Sequence, residues 1–245
     1  MDMKISGSGQ LSGGEYENVS ISGSGKCLGN VKCKSFRASG SARCEGDITC
    51  TEGFTASGSA HIHGDISANS VRCAGSFHAD RGVRASELAH FSGSCHIEGN
   101  CVSHGKIDAS GAFSVDLGVE AEYADICGVI KCGGLFNAEE LYFKLERRSR
   151  VHSIGGSTID IRIHRNARSF SSLFGFKKSG SAGIVLDVEE GIEGDKIYLE
   201  GVRAPFVIGR SVIIGAGCEI GSVRYSDTIE IDSNAVVQNR EKIDS

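Results

Sequence analysis

A ladder of glycines constrains this chain more than any other feature of its sequence. Eight glycines follow one another at steps of 16 to 18 residues, most of them in an S-G-S or A-S-G setting: Gly7, Gly23, Gly40, Gly58, Gly75, Gly93, Gly111 and Gly128. A period this short and regular is typical of solenoids, in which similar units stack along one axis. Such a fold forms long surfaces and two ends more readily than an enclosed pocket.

Apolar residues recur at fixed positions around each ladder glycine. In the third repeat, Phe36 and Ala38 precede Gly40, and the pair Ile48 and Cys50 follows it. A spacing of two residues is the period of a β-strand, so both members of a pair point to the same side. We therefore predict an all-β fold, a parallel β-helix with three short strands in each rung of 16–18 residues. The variable rung length favours a right-handed helix.

The glycines and serines of the ladder predict the corners of the rungs. Glycine suits a corner because it adopts left-handed backbone angles and lets a neighbouring rung approach closely. Serines on either side of the glycines should stack as ladders of hydroxyl groups, for example Ser24, Ser41, Ser59, Ser76 and Ser94.

The ten cysteines of the chain fit the same repeat. Cys27 and Cys44 fall on one inward position of adjacent rungs, and Cys33 and Cys50 fall on another. They are predicted to fill the core as small apolar side chains. Because stacked cysteines lie within disulfide-forming distance, a reducing compartment is the expected location. A zinc site built from these cysteines is not expected, since their inward neighbours are apolar.

Composition and charge narrow the classes of partner. The chain has 26 basic and 31 acidic residues and no long basic run, so nucleic-acid binding is not expected. It has no apolar segment of membrane-spanning length and no apolar leader at its N-terminus. We expect a cytoplasmic protein, with a peripheral position at the inner face of the membrane as a further option.

The repeat becomes irregular after about residue 140. We expect residues 1–145 to form a regular β-helix of about eight rungs. Residues 146–245 form either its irregular continuation or a small second β segment, with a phenylalanine-rich loop at 165–183. Ile208-Gly209, Ile214-Gly215 and Ile220-Gly221 recur every six residues, which is a hexapeptide signature of β-helices. The loop is either an ordinary packed segment or a contact for a partner or a membrane, through Phe170, Leu173, Phe174, Phe176, Lys177 and Lys178.

A column of histidines is the main candidate for metal chemistry. His61, His78 and His96 share one outward position of three successive rungs, and the neighbouring column contains Glu45, His63, Asp80, Glu98 and Asp116. Stacked imidazoles can bind a transition metal. Because the site would be flat and exposed, without a fixed carboxylate, we expect a solvated ladder and no metal site.

The sequence does not contain the motifs that are typical of enzymes with β-helical folds. The corners are too short for the groove of a polysaccharide lyase, and only three clear hexapeptides occur where an acyltransferase has a longer array. His152 and His164 lie upstream of those hexapeptides, and there is no Walker-type motif. We therefore expect no enzyme activity, no cofactor and no small-molecule substrate.

Repeats such as FRASGSARCEGDITC and FTASGSAHIHGDISA resemble those of the bactofilins, the polymer-forming cytoskeletal proteins of bacteria. The family's G-[DN]-[IV] motif occurs at Gly46-Asp47-Ile48, Gly64-Asp65-Ile66 and Gly29-Asn30-Val31, and Gly99-Asn100-Cys101 is a variant. GIEGDKIYLE and VIGRSVIIGAGCEIG are similar to the longer variety from Bacillus-type bacteria. The resemblance implies a right-handed, cytoplasmic β-helix that polymerises end to end without nucleotide. It also implies a scaffold role in cell shape, wall synthesis or placement of motility machinery.

The ends of the solenoid are the predicted self-association surfaces. An end rung exposes unpaired backbone groups and part of the apolar core, so it must be covered or must pair with another end. The expected contact residues are Met3, Ile5, Leu11, Ile229, Ile231 and Val236. Head-to-tail and two-fold contacts both remain open. The partners are thus other copies of this chain, with related scaffold proteins or membrane-associated machinery as further ones. The alternatives are a β-helical binding module that does not polymerise and a hexapeptide-type acyltransferase.

Overall fold

The computed structural model describes residues 1–146, 148–164 and 183–244. The described part of the chain consists of strands, corners and turns and contains no helix. Its strands are β1 (Met3–Ile5), β2 (Ser8–Leu11), β3 (Gly14–Glu15), β4 (Asn18–Ile21), β5 (Ser24–Cys27), β6 (Val31–Ala38), β7 (Ser41–Cys44), β8 (Ile48–Ile62), β9 (Ile66–Ala79), β10 (Val83–Ile97), β11 (Cys101–Ser103), β12 (Lys106–Val115), β13 (Val119–Leu145), β14 (Ser149–Ile163), β15 (Leu186–Val188), β16 (Gly191–Leu199), β17 (Val202–Ile214), β18 (Glu219–Ile231) and β19 (Val236–Lys242).

The strands pair in parallel with the strands of the next rung, which forms a β-solenoid of about 13 turns. One outward column can be followed pair by pair through the whole structure: Gln10, Lys26, Arg43, His61, His78, His96, Ser114, Lys131, Arg150, Asp187, Arg203, Glu219 and Val236. The predicted all-β parallel solenoid is therefore confirmed, while its right-handedness stays a prediction.

The later residues extend the same sheet. β14 pairs in parallel with β13, and β15 and β16, which both follow residue 183, pair in parallel with β14. Each rung from Asp187 to Arg203 and from Arg203 to Glu219 then contains 16 residues. Residues 149–163 and 186–242 thus continue the stack begun by residues 3–145.

The three isoleucines of the hexapeptide pattern at residues 208–221 differ in burial. Val207 is buried and Ile208 is only half-buried, whereas Ile214 and Ile220 are both buried. The three isoleucines therefore do not share one inward position, because the pleat of β17 turns Val207 inward instead of Ile208. The rungs here are built from extended strands in the register of the preceding rungs.

Close contact between rungs explains the glycine ladder. A Cβ atom added to Gly75 would lie 2.4 Å from the carbonyl oxygen of Gly58, and one added to Gly93 would lie 2.4 Å from that of Gly75. The φ angles of these two glycines are +105° and +103°, a region that residues with a side chain adopt only with strain. Gly75 and Gly93 therefore serve both of the predicted purposes, a left-handed backbone angle and close approach of the neighbouring rung. The flanking serines also stack in register, from Ser24 through Ser41 and Ser59 to Ser76 and Ser94.

The interior is a continuous apolar column in which rings and thiols stack. Phe36 stacks on Phe54 with ring centroids 5.4 Å apart, and Phe91 stacks on Phe113 at 5.4 Å. All ten cysteines are free thiols, and nine of them are buried. The Sγ atoms of Cys33 and Cys50 lie 3.5 Å apart on adjacent rungs. The predicted core role of the cysteines is confirmed for these nine.

Thiol reactivity should follow this burial. Only Cys127 is partly accessible, while burial raises the pKa of the thiols of Cys101, to about 12, and Cys218, to about 11. Because a reagent in solution reaches only an accessible thiol, we expect Cys127 alone among the ten cysteines to react in a fast phase with an aromatic disulfide reagent in the native protein, although partial burial also raises its pKa. All ten should react after denaturation. The Cys127→Ser variant should lose the rapid phase; rapid reaction of several thiols would contradict the packing described.

Candidate functional site

The histidine column and the acidic column beside it form a compact group of ionisable side chains on the outside of the solenoid. His61 and His78 are register partners on β8 and β9, and His96 follows on β10. Their rings contact one another edge to face, with centroids 4.6 Å apart for His61 and His78 and 4.9 Å apart for His78 and His96. The parallel register holds them in one line on the outside of the solenoid.

Asp80 lies at the centre of this group. Its Oδ1 atom is 2.6 Å from Nε2 of His61 and 2.9 Å from Nε2 of His78. Its Oδ2 atom forms a very short hydrogen bond with Nδ1 of His63. Partial burial acts to raise the pKa of the Asp80 carboxyl, but the hydrogen bonds from His61 and His63 lower that pKa to about 2. Asp80 is therefore a fixed carboxylate at neutral pH.

The expectation that this face lacks a fixed carboxylate is wrong. Asp80 directly follows Ala79 at the end of β9, and the backbone N–H of Asp80 donates to the carbonyl of Ile62, which places Asp80 one rung above His63. From there its side chain reaches both histidine positions of the rung below, at His61 and His63. The sequence period identifies the histidine column and the acidic column separately. The contact of Asp80 with His61 joins the two columns and also crosses from one rung to the next.

Two further carboxylates lie beside the cluster. Oε1 of Glu98 is 3.2 Å from Nε2 of His78, and Oε2 of Glu45 is 3.8 Å from Nε2 of His63. Glu45 also contacts Lys26 at 3.0 Å and Arg43 at 3.3 Å, so its charge is offset. His96 has a carboxylate of its own, since its Nε2 atom lies 3.0 Å from Oδ1 of Asp116.

Within the described residues, two groups of side chains bring potential metal ligands within 4.8 Å of one another. The first is His61, His78 and Asp80, and the second is Cys127, Glu146 and His164. In the second group, Nε2 of His164 is 3.4 Å from Oε1 of Glu146, and burial raises the pKa of the Cys127 thiol. The second group thus has a protonated thiol, whereas the first has an ionised carboxylate between two imidazoles.

The first rung contains the predicted N-terminal contact residues. Met3 is half-buried, Ile5 is 7% exposed and Leu11 is fully buried. Met3 and Tyr16 pack against this part of the core. Within the described residues, β1, β2 and β3 each pair with a strand on one side only, so their outer backbone edges are open. This end therefore presents mainly backbone groups, together with Met3 and Tyr16.

The last rung contains the predicted C-terminal contact residues at the opposite end. Ile229 and Ile231 end their inward columns in a half-buried state, and Val236 is 59% exposed in an outward column. Val237 is also half-buried against the core. Among the described strands, β19 pairs only with β18, so its outer edge is open as well.

One side of the last rung is charged where the rungs beneath it are apolar. Arg240 is the register partner of the buried Val223, and Lys242 is the partner of Tyr225. Both charged residues therefore continue inward columns, although they are exposed because no rung covers them in the described chain. Sequence reasoning missed these two residues, and their spacing of two in line with the apolar columns could have identified them.

The predicted phenylalanine-rich loop falls in a part of the chain that the structure does not describe. Phe170, Leu173, Phe174, Phe176, Lys177 and Lys178 lie outside the described residues, so their proposed contact with a partner or membrane stays a prediction. Across residues 1–146, 148–164 and 183–244, no helix has the length and apolar character needed to cross a membrane.

Comparisons with known proteins agree with the repeat. A family model described as bactofilin, polymer-forming cytoskeletal, matches residues 2–80. The uncharacterized protein YhbF of Bacillus subtilis (strain 168) is 38% identical over 111 residues, which cover 45% of this chain and 42% of YhbF. YhbE of the same organism is 33% identical over 114 residues, covering 46% of this chain and 45% of YhbE. The matches thus span less than half the length of these relatives. No solved structure matches the chain.

Proposed function

We propose that this chain, whose residues 2–80 match the family model of the bactofilins, polymer-forming cytoskeletal proteins, is a non-enzymatic scaffold that self-assembles through its solenoid ends. Assembly needs no nucleotide, since the contact is a continuation of the β-sheet. The polymer lies in the cytoplasm, in places at the inner face of the membrane, and positions machinery for cell shape, wall synthesis or motility. The open edges of β1 and β19 are the observation that carries this proposal.

An uncovered end of the solenoid leaves backbone hydrogen-bonding groups without partners. Each end presents a row of unpaired N–H and C=O groups, which can pair with the edge of another copy. The half-buried Ile229 and Ile231 would also lose their remaining contact with water in such a contact. Burying apolar surface stabilises association by about 25 cal/mol for each square ångström removed from water. Backbone pairing therefore aligns the ends of two copies, and burial of apolar side chains contributes to the affinity between them.

Arg240 and Lys242 should weaken pairing of the C-terminal end with another copy, because they occupy inward columns whose other residues are apolar. Charged residues that point inward at an edge disfavour pairing, because burying an unpaired charge is costly. In the Arg240→Val/Lys242→Val variant, we expect longer or more numerous assemblies at the same protein concentration, measured by sedimentation and electron microscopy. Arg84→Val is the matched control, since Arg84 is an exposed cation in the middle of the solenoid. Shorter assemblies in the double variant would instead indicate that the two cations pair with acidic groups of the next copy.

The proposal is tested by the concentration dependence of molecular mass in nucleotide-free buffer. Sedimentation velocity on the purified full chain should show species that grow with concentration and do not change on addition of ATP or GTP. A single monomeric species at every concentration would exclude the scaffold and favour the binding-module alternative.

A further inference from the structure

We propose that His61, His78 and Asp80 form a binding site for a divalent transition-metal ion of the zinc type on the outer face of the solenoid, with His63 as a positioning residue. The site is independent of the solenoid ends and therefore of the proposed assembly. It lies where β8, β9 and the turn after β9 meet.

The convergence of the three ligand atoms is the first argument. Nε2 of His61 and Nε2 of His78 both lie within 3 Å of the same oxygen of Asp80, at 2.6 Å and 2.9 Å. In a tetrahedral zinc site with bonds of about 2.0–2.2 Å, ligand atoms are about 3.3 Å apart. To admit the ion, the two nitrogen–oxygen distances would lengthen by about 0.4 to 0.7 Å, with water in the remaining position.

The chemistry of the ligands fits the same class of ion. Imidazole nitrogen and carboxylate oxygen together suit zinc and its neighbours among the divalent transition metals, whereas calcium and magnesium prefer oxygen alone. The side chains of His61, His78 and Asp80 are 36%, 33% and 30% exposed, so an ion can reach them from solvent. Glu98, at 3.2 Å from Nε2 of His78, adds negative charge that favours a cation.

His63 supplies the outer contact that metal-binding carboxylates usually have. Its Nδ1 atom is hydrogen-bonded to Oδ2 of Asp80, which leaves Oδ1 directed towards His61 and His78. Its Nε2 atom is buried and has no hydrogen-bond partner within the described chain. An interaction of this type fixes the orientation of a metal ligand and typically changes metal affinity 10- to 100-fold.

The rungs on either side of this site do not bring two imidazoles to one carboxylate. In the rung before, the same outward position is occupied by Arg43, and in the rung after, the carboxylate partner of His96 is Asp116. The convergence of two imidazoles on one carboxylate therefore occurs at a single rung among those described in this column. This position explains why a histidine ladder of three residues would bind one ion rather than three.

Equilibrium dialysis of the untagged full chain against ZnCl₂, after removal of metal with EDTA, tests the proposal. We expect one zinc ion per chain, and at least a tenfold loss of affinity in each of His78→Ala and Asp80→Asn. His63→Ala should also weaken binding about tenfold while the stoichiometry stays at one, as expected for a positioning residue. His90→Ala is the control, because His90 forms a similar pair with Asp108 at 3.5 Å on a different column and should leave binding unchanged.

Co²⁺ spectra together with circular dichroism distinguish loss of the metal site from loss of the fold in the variants. Co²⁺ bound to the wild-type chain should give the intense visible bands of a tetrahedral site, and these bands should disappear in His78→Ala, whose circular dichroism should match the wild type. The proposal is overturned if the wild type binds no zinc at micromolar concentrations. It is also overturned if well-folded His78→Ala and Asp80→Asn bind zinc as the wild type does.

Discussion

Replacing Gly93 by alanine should lower the free energy of unfolding by about 3 kcal/mol or more. The new Cβ atom would lie 2.4 Å from the carbonyl oxygen of Gly75, and alanine would have to adopt a φ of +103°. Backbone strain of this type costs about 1–3 kcal/mol, and an overpacked contact costs about 1–3 kcal/mol more. Gly75 cannot easily move aside, because it is itself in close contact with Gly58.

Gly29→Ala is the matched control for this prediction. Gly29 is also a glycine of the repeating pattern, in an earlier rung than Gly93. A Cβ atom at Gly29 would be 3.5 Å from its nearest neighbour, the Cα atom of Gly13, which is an ordinary contact. Its expected effect is within about 0.5 kcal/mol. The midpoint of guanidinium unfolding, followed by circular dichroism, should fall clearly for Gly93→Ala and stay near the wild-type value for Gly29→Ala. Equal midpoints for the two variants would contradict the stacking of the glycine ladder.

Replacing both Ile229 and Ile231 by glutamate should abolish end-to-end assembly while the solenoid stays folded. The two side chains are half-buried at the last rung, so the isolated chain can keep a carboxylate there in contact with water. A second copy covering this rung would bury two unpaired carboxylates, which costs several kcal/mol. Since each 1.4 kcal/mol is a tenfold change in affinity, assembly should weaken by at least about a hundredfold.

Ile213→Glu separates this effect from a general effect of charge. Ile213 is 39% exposed and lies in an outward column of β17, next to Glu230 on the following rung. The control should assemble like the wild type, and circular dichroism should be the same for all three proteins. If the Ile229→Glu/Ile231→Glu variant forms assemblies as readily as Ile213→Glu, the C-terminal end is not a contact surface.

The fold could be predicted from the sequence because each rung repeats the same local requirements. Strand periodicity explains the paired inward residues. Stacking of equivalent positions in successive rungs explains the corner glycines and the inward cysteines. The six-residue period does not show which residues point inward, because the pleat of β17 turns Val207 inward and leaves Ile208 half-buried. Leu11 was expected near an exposed end but is fully buried, since even the first rung closes around its own core.

The histidine cluster was only partly predictable for a different reason. The period places His61, His78 and His96 in one column, and the register of the strands confirms it. The contacts of Asp80 with His61 and His63 depend on side-chain reach between columns and between rungs, which periodicity alone does not contain. The inward position of Arg240, by contrast, follows the period of the repeat, since it continues the column of Val223.

Electron microscopy of the purified full chain in nucleotide-free buffer is the most direct test of the central claim that this solenoid assembles through its ends. Stacking 13 rungs at about 4.8 Å gives a length of about 62 Å for each copy. We therefore expect filaments of the width of one solenoid with an axial repeat of about 62 Å for head-to-tail contacts, or about twice that for two-fold contacts. Single particles about 62 Å long at every concentration, with no filaments, would contradict the account.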